Sequence, residues 1–144
     1  MARVLIVYFS KTGNTKAMAE AVTEGAKEAG AEVMVKTPEE AKPSELLDAD
    51  VVVLGSPAYF GSIAWPLKKF IDESIEVYGR LRGKRGGCFS SGGTSRDAER
   101  TVTALTWALE IHGMKVEKGI AIAGSPSDEE RKRLREYGRK LARG

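Results

Sequence analysis

The chain has 144 residues, enough for one sizeable core, and Lys plus Arg exceed Asp plus Glu by only 23 to 20. That small excess does not argue for nucleic acid, and no apolar run approaches the ~20 residues of a membrane span. The single cysteine, Cys88, excludes an internal disulfide and suits a reducing cytoplasm.

Val4 to Phe9 is almost wholly apolar and predicts a strand covered on both faces. So early a strand is expected to leave no room for a signal peptide. Six residues rich in hydroxyl, amide and glycine follow, Ser10-Lys11-Thr12-Gly13-Asn14-Thr15. Met18, Ala21, Val22, Gly25 and Ala29 then fall at helical spacing, and Gly30 is a helix stop. Glu32 to Lys36 predicts a second strand, and a helical turn is expected around Ser44 to Leu47. Val51 to Leu54 is a third, buried strand that ends at Gly55-Ser56-Pro57-Ala58-Tyr59-Phe60-Gly61. Pro66 suits the first turn of the next helix, whose inner stripe reads Leu67, Phe70, Ile71, Ile75 and Tyr78.

Gly86 to Ser90 predicts a fourth strand, weak by propensity, followed by Ser91-Gly92-Gly93-Thr94-Ser95. Ala98, Val102, Leu105, Leu109 and His112 mark another helical stripe. Lys115 to Ala123 predicts the fifth strand, with a bulge at Gly119. Ser127-Asp128-Glu129-Glu130 is a capping box that opens a last helix running to about Ala142. Regular alternation of strands and helices predicts an α/β fold: a single doubly wound domain over residues 1–144, with a parallel sheet and helices on both faces. The special segments all follow strands, so they gather at the carboxyl edge of the sheet, where ligands of such sheets bind.

In the first segment Ser10, Thr12 and Thr15 offer hydroxyls and Asn14 an amide. Gly13 lets main-chain N–H groups converge at a helix start, a combination that holds a dianionic phosphate without a cationic side chain. Lys11 stands at the rim. The plain alternative is a polar turn whose hydroxyls cap the helix. In the second segment Tyr59 and Phe60 are placed to stack on a flat heterocycle or to fold onto Trp65. In the third, Ser90, Ser91, Gly92, Gly93 and Thr94 suit a polar ring edge, or make a flexible turn.

Ser10 to Thr15 resembles the phosphate loop of flavodoxins, S/T-x-T-G-N-T, and matches every specified position. Gly55-Ser56-Pro57-Ala58-Tyr59 resembles their flavin-stacking loop, and Ser90 to Thr94 falls where their third loop would be. The resemblance implies a five-stranded sheet of order 2-1-3-4-5, an order whose standard example is flavodoxin itself. It implies flavin mononucleotide (FMN) as cofactor and electron transfer through it. The implied cofactor-binding residues are Ser10, Lys11, Thr12, Gly13, Asn14, Thr15, Ser56, Pro57, Ala58, Tyr59, Phe60, Gly61, Ser90, Ser91, Gly92, Gly93 and Thr94, with no catalytic side chain and no metal ligand.

The chain also departs from the family pattern. It is slightly basic, it lacks an aromatic in the third loop, and Phe60 stands between Tyr59 and Gly61. The Tyr59-Phe60-Gly61 run is similar to that of flavodoxin-like quinone reductases. Three readings stay open: an electron carrier between protein redox partners, an FMN-dependent NAD(P)H:quinone reductase, and a phosphate- or nucleotide-binding module with no redox role. Arg131, Lys132, Arg133, Arg135, Arg139, Lys140 and Arg143 give the last helix a basic face, read either as solvated charge or as a dock for an acidic partner. His112, Cys88, Trp65 and Trp107 read as packing residues. The absence of glutamine and the single asparagine lean toward a thermophilic source.

Overall fold

Val4, Leu5, Ile6 and Val7 are all buried. β1 (Arg3–Tyr8) is therefore covered on both faces, as its unbroken apolar run requires. A computed structural model of the protein describes residues 1–144. β1 pairs in parallel with β2 (Glu32–Lys36) on one side and β3 (Val51–Tyr59) on the other. A two-residue strand, β4 (Ser62–Ile63), folds back antiparallel onto the end of β3. β5 (Arg85–Gly92) lies on the far side of β3, and the fifth position of the sheet is filled by β6 (Lys115–Val116) and β7 (Ile120–Ala123). Counting β6 and β7 as one broken strand, the order is the expected 2-1-3-4-5.

Four helices cover the sheet: α1 (Asn14–Glu28), α2 (Trp65–Glu73), α3 (Ser95–Ile111) and α4 (Asp128–Arg143). Strand residues alternate between two cores. Leu5, Val7, Val52 and Leu54 meet Leu67 and Phe70 of α2 and Leu105 and Leu109 of α3. Val4, Ile6, Val51 and Val53 meet Met18 and Val22 of α1 and Leu134, Tyr137 and Leu141 of α4. Each such apolar side chain, once buried, contributes about 1.5–3 kcal/mol. No helix is long and apolar enough to cross a membrane.

α1 and α4 approach so closely that two glycines are required. A Cβ on Gly25 would lie 1.8 Å from the Arg135 carbonyl oxygen, and one on Gly138 would lie 2.1 Å from that of Val22. Arg139 of α4 also bonds Glu28 of α1. Both glycines fall within regular helices, where they cost helix propensity; close packing explains their presence.

Five expectations need correction. β3 does not stop at Leu54 but runs to Tyr59, because β5 and β4 supply ladder partners beyond that point. β5 likewise runs to Gly92, so only Gly93 and Thr94 of the third segment lie outside regular structure. The fifth strand is interrupted rather than singly bulged. Tyr137 inserts its phenol there, accepting from the Cys88 N–H at 3.0 Å and donating to the Glu117 carbonyl at 3.0 Å. Finally, Ile75 and Tyr78 are exposed, not inward. α2 ends at Glu73, and a 3-10 turn over Ser74–Val77 changes the angular step per residue, so the stripe turns out to solvent. Trp65, at the first position of α2, and Trp107, on α3, expected as packing residues, are exposed as well, because each falls on the outer side of its helix.

Candidate functional site

Tyr8 pairs with Gly55, and Ser56 and Pro57 pair with Ser90 and Ser91. The ends of β1, β3 and β5 therefore lie side by side. The Phe9 N–H donates to the Gly55 carbonyl at 3.1 Å, which joins the first segment to the second. The Thr15 and Ser91 hydroxyls meet at 2.8 Å, which joins the first to the third. Gly92 completes the join between second and third. A Cβ there would come 3.0 Å from the Thr94 carbonyl oxygen and 3.3 Å from the Ala58 methyl.

The start of α1 is unusual in its hydrogen bonding. Its N-cap is Gly13, at φ 99°, with no side-chain cap and no acidic residue in the first turn. Ser10 Oγ turns inward and accepts from the N–H groups of Gly13 and Lys16, both at 3.2 Å. Ser10 thus does part of the capping that its residue type allows. The N–H groups of Lys11, Thr12, Asn14 and Thr15 have no acceptor in the protein. The Lys11 and Thr12 side chains are exposed and Asn14 is half-buried. Unpartnered amides at a helix start, with the positive end of the helix dipole behind them, make a seat for an anion.

The second segment is a hairpin. Tyr59 faces Ser62, and the two residues between them, Phe60 and Gly61, have φ of 52° and 69°. Positive φ at both central positions is the type I′ pattern, which favours Asn-Gly. Phenylalanine there is strained by about 1–3 kcal/mol. Its ring gains nothing from burial in return, since Phe60 is 107% exposed. It neither folds onto Trp65 nor joins the core. Tyr59 is 37% exposed and stands edge-on to Phe9, with ring centroids 6.5 Å apart. Ser56, fully buried, holds the hairpin in place. Its Oγ accepts from the Ala64 N–H at 2.9 Å and donates to the Pro57 carbonyl at 2.7 Å.

Several candidate residues therefore form the floor of the site. Thr15, Ser56, Ser90 and Ser91 are buried, and Thr15 and Ser91 spend their hydroxyls on each other. Thr94 Oγ1 accepts from the Asp97 N–H at 3.2 Å and caps α3. At the surface are Lys11, Thr12, Gly13, Tyr59, Phe60, Gly93 and the Thr94 backbone, with Asn14, Pro57, Ala58, Gly61 and Gly92 half-buried between them. Two residues beyond those named from the sequence belong here. Phe9 supports the Tyr59 ring, and Arg100 reaches the hairpin, its Cδ 3.6 Å from where a Gly61 Cβ would sit. Arg96 and Arg100 share one helix face, a signal that spacing alone could have given.

The other titratable residues lie outside this cluster. Cys88 is buried in β5, and burial pushes its thiol up to about 11. His112 caps the far end of α3, and burial pulls its imidazole below the ordinary value. The basic face of α4 is partly neutralised from within, by Lys132–Glu129, Arg139–Glu28, Arg139–Glu136 and Lys140–Glu117 pairs.

The flavodoxin domain family matches residues 5–122. A flavodoxin of Aquifex aeolicus (strain VF5) is 36% identical over 159 aligned positions, covering 99% of this chain and 86% of the relative. Among solved structures, a flavodoxin from the domain Archaea superposes with a TM-score of 0.89 at 30% identity, covering 98% of this chain and 96% of that one. A flavodoxin, WrbA-like protein from Agrobacterium tumefaciens gives 0.80 at 26% identity, with 99% and 96% covered. An anion seat at the start of α1, with an aromatic hairpin beside it, fits the phosphate and ring of FMN, and the chain belongs to the flavodoxin family, whose cofactor is FMN.

Proposed function

We propose that this protein carries electrons between protein redox partners through FMN held at the carboxyl edge of its sheet. The four unpartnered N–H groups of Lys11, Thr12, Asn14 and Thr15 carry this reading, because they ask for one compact anion. The Thr12 hydroxyl and Asn14 amide add donors around the same point. Ser10, Thr15 and Ser91 keep the seat rigid. The Tyr59 ring offers a face to the isoalloxazine, and Phe60 extends the apolar surface outward. Backbone groups of Gly61, Gly92, Gly93 and Thr94 border the polar edge, with Pro57 and Ala58 beneath. FMN, when bound, supplies one- and two-electron chemistry. The protein then has only to bind it, orient it and set its potential.

The charge around the site differs from that of an acidic carrier. Net charge is +3, and Arg100 stands beside the hairpin. Positive surroundings favour the electron-rich cofactor, so a less negative potential than that of acidic flavodoxins is expected. Docking of an acidic partner is expected to weaken with salt.

The test is a spectrum and two titrations. The purified protein is expected to be yellow, or to quench added FMN. It should bind FMN at least ~100-fold more tightly than riboflavin, which lacks the phosphate, equivalent to about 2.7 kcal/mol. Equal affinity for the two, or no quenching, overturns the reading. Turnover of NADPH with a quinone, without a separate reductase, would replace the carrier by an enzyme on the same site. The third segment, which offers no second aromatic, leaves a ring face open for that chemistry.

A further inference from the structure

β2 is one edge of the sheet. β1 pairs with one side of it, and no strand pairs with the other. The Glu32 N–H donates to the Ala2 carbonyl at 2.9 Å, so Glu32, Met34 and Lys36 direct their main-chain groups toward β1. By strand alternation, Val33 and Val35 direct theirs outward. The edge is also apolar, with Met34 46% and Val35 40% exposed. Edge strands are ordinarily blunted by charged side chains, prolines or bulges. Glu32-Val33-Met34-Val35-Lys36 has no proline and no bulge, and its charges stand only at its two ends. Its two charges are opposite in sign and stand at equal distances from Met34.

We propose that β2 pairs antiparallel with β2 of a second copy of this chain, about a two-fold axis at Met34. Val33 and Val35 then exchange main-chain hydrogen bonds with Val35 and Val33 of the second copy. Met34 faces Met34, and Glu32 faces Lys36 at each end. Charges already within the protomer extend the pattern, since Arg3 pairs with Glu32 at 3.7 Å and Lys36 pairs with Glu45. Each end of the joined strands becomes a row of alternating sign: Arg3, Glu32, Lys36, Glu45. Parallel pairing in register would instead set Glu32 on Glu32 and Lys36 on Lys36, which repel. On the Met34 face, a notch of about 260 Å³, with Leu5 and Ala49 in its wall and Arg3, Glu32, Glu45 and Asp48 around them, leaves room for the second Met34. The interface is short, so the dimer is weak, and its paired ends are exposed, so it loosens with salt.

Sedimentation equilibrium on the full chain, from micromolar to millimolar, tests this. The wild type is expected to move from monomer to dimer, at higher concentration when salt is raised. Lys36→Glu sets Glu on Glu, and Glu32→Lys sets Lys on Lys, so each variant alone is expected to remain monomeric. Mixed in equal amounts they are expected to associate, because Glu then faces Lys at both ends. Met34→Cys is expected to form a disulfide-linked dimer on mild oxidation, and the buried Cys88 gives the wild type no such product. A wild type that stays monomeric throughout, single variants that dimerise as well as wild type, or a mixture that fails to associate overturns the proposal.

Discussion

The hydroxyls of Thr15 and Ser91 meet at 2.8 Å beneath the site, across 76 residues of sequence. They tie the start of α1 to the end of β5, and both are buried. Thr15→Val or Ser91→Ala strands the partner hydroxyl in the core and is expected to cost about 1–2 kcal/mol in urea unfolding. The double variant is expected to cost less than the sum, because it leaves no orphan. FMN affinity should fall about tenfold in either single variant, equivalent to about 1.4 kcal/mol. Fluorescence titration reads this, and equal, additive effects would mean that the two hydroxyls act independently.

Phe60 is a position where stability and function are expected to oppose each other. Phe60→Asn places the preferred residue in the type I′ turn and removes a ring that packs on nothing. Urea unfolding of the FMN-free protein should show a gain of about 1 kcal/mol. Electron transfer to a partner, measured by stopped flow, should slow. A loss of stability would show that the ring is supported in a way its exposure does not suggest.

The α1–α4 crossing has no slack. Gly138→Ala would put a methyl group 2.1 Å from a main-chain oxygen, and only movement of a whole helix relieves that. A loss of about 3 kcal/mol in urea unfolding is expected. Gly13→Ala differs in kind. Nothing lies within 4 Å of its Cβ, so any loss comes from the φ of 99° alone. It should be smaller, and paired with weaker FMN binding.

His112 sets a pH dependence remote from the site. Ser74 Oγ donates to the Ile71 carbonyl and lies 2.8 Å from His112 Nε2. Nε2 therefore carries the proton and donates to Ser74, and Nδ1 is left buried without a partner. Protonating Nδ1 would add a donor with no acceptor. Burial accordingly holds the folded-state pKa below the ordinary 6.5. The unfolded chain then binds the proton more readily, so the contribution is full above 6.5 and is lost as pH falls through the folded value. Urea midpoints should decline over that window in the wild type and less so in His112→Gln.

Much of the fold was legible because local pattern and tertiary fate agree. Glu32 to Lys36 is strand by alternation, and Ser127 to Glu130 forms both bonds of its capping box. Elsewhere a distant partner decides. Leu54 looked like a strand end because Gly55 and Pro57 have poor strand propensity, but β5 pairs with them through Pro57. Gly87 looked like a weakness in β5, but a Cβ there would lie 2.7 Å from the Tyr137 hydroxyl. In the site, residue types suggested which side chains carry polar groups. They could not show that Thr15, Ser91 and Thr94 would turn those groups on one another and on the backbone, leaving main-chain amides to face outward.

Tyr137 makes the sheet depend on the helix that covers it. Its phenol is the shared partner of the Cys88 N–H and the Glu117 carbonyl, between β5 and the break in the edge strand. Take α4 away and both groups lose that partner, at a cost of about 1–3 kcal/mol each, on top of the core that Leu134, Tyr137 and Leu141 would uncover. A cut ahead of α4 is therefore expected to loosen the β5 edge as well as expose one face, so the helix acts as a rung of the sheet and not only as its cover.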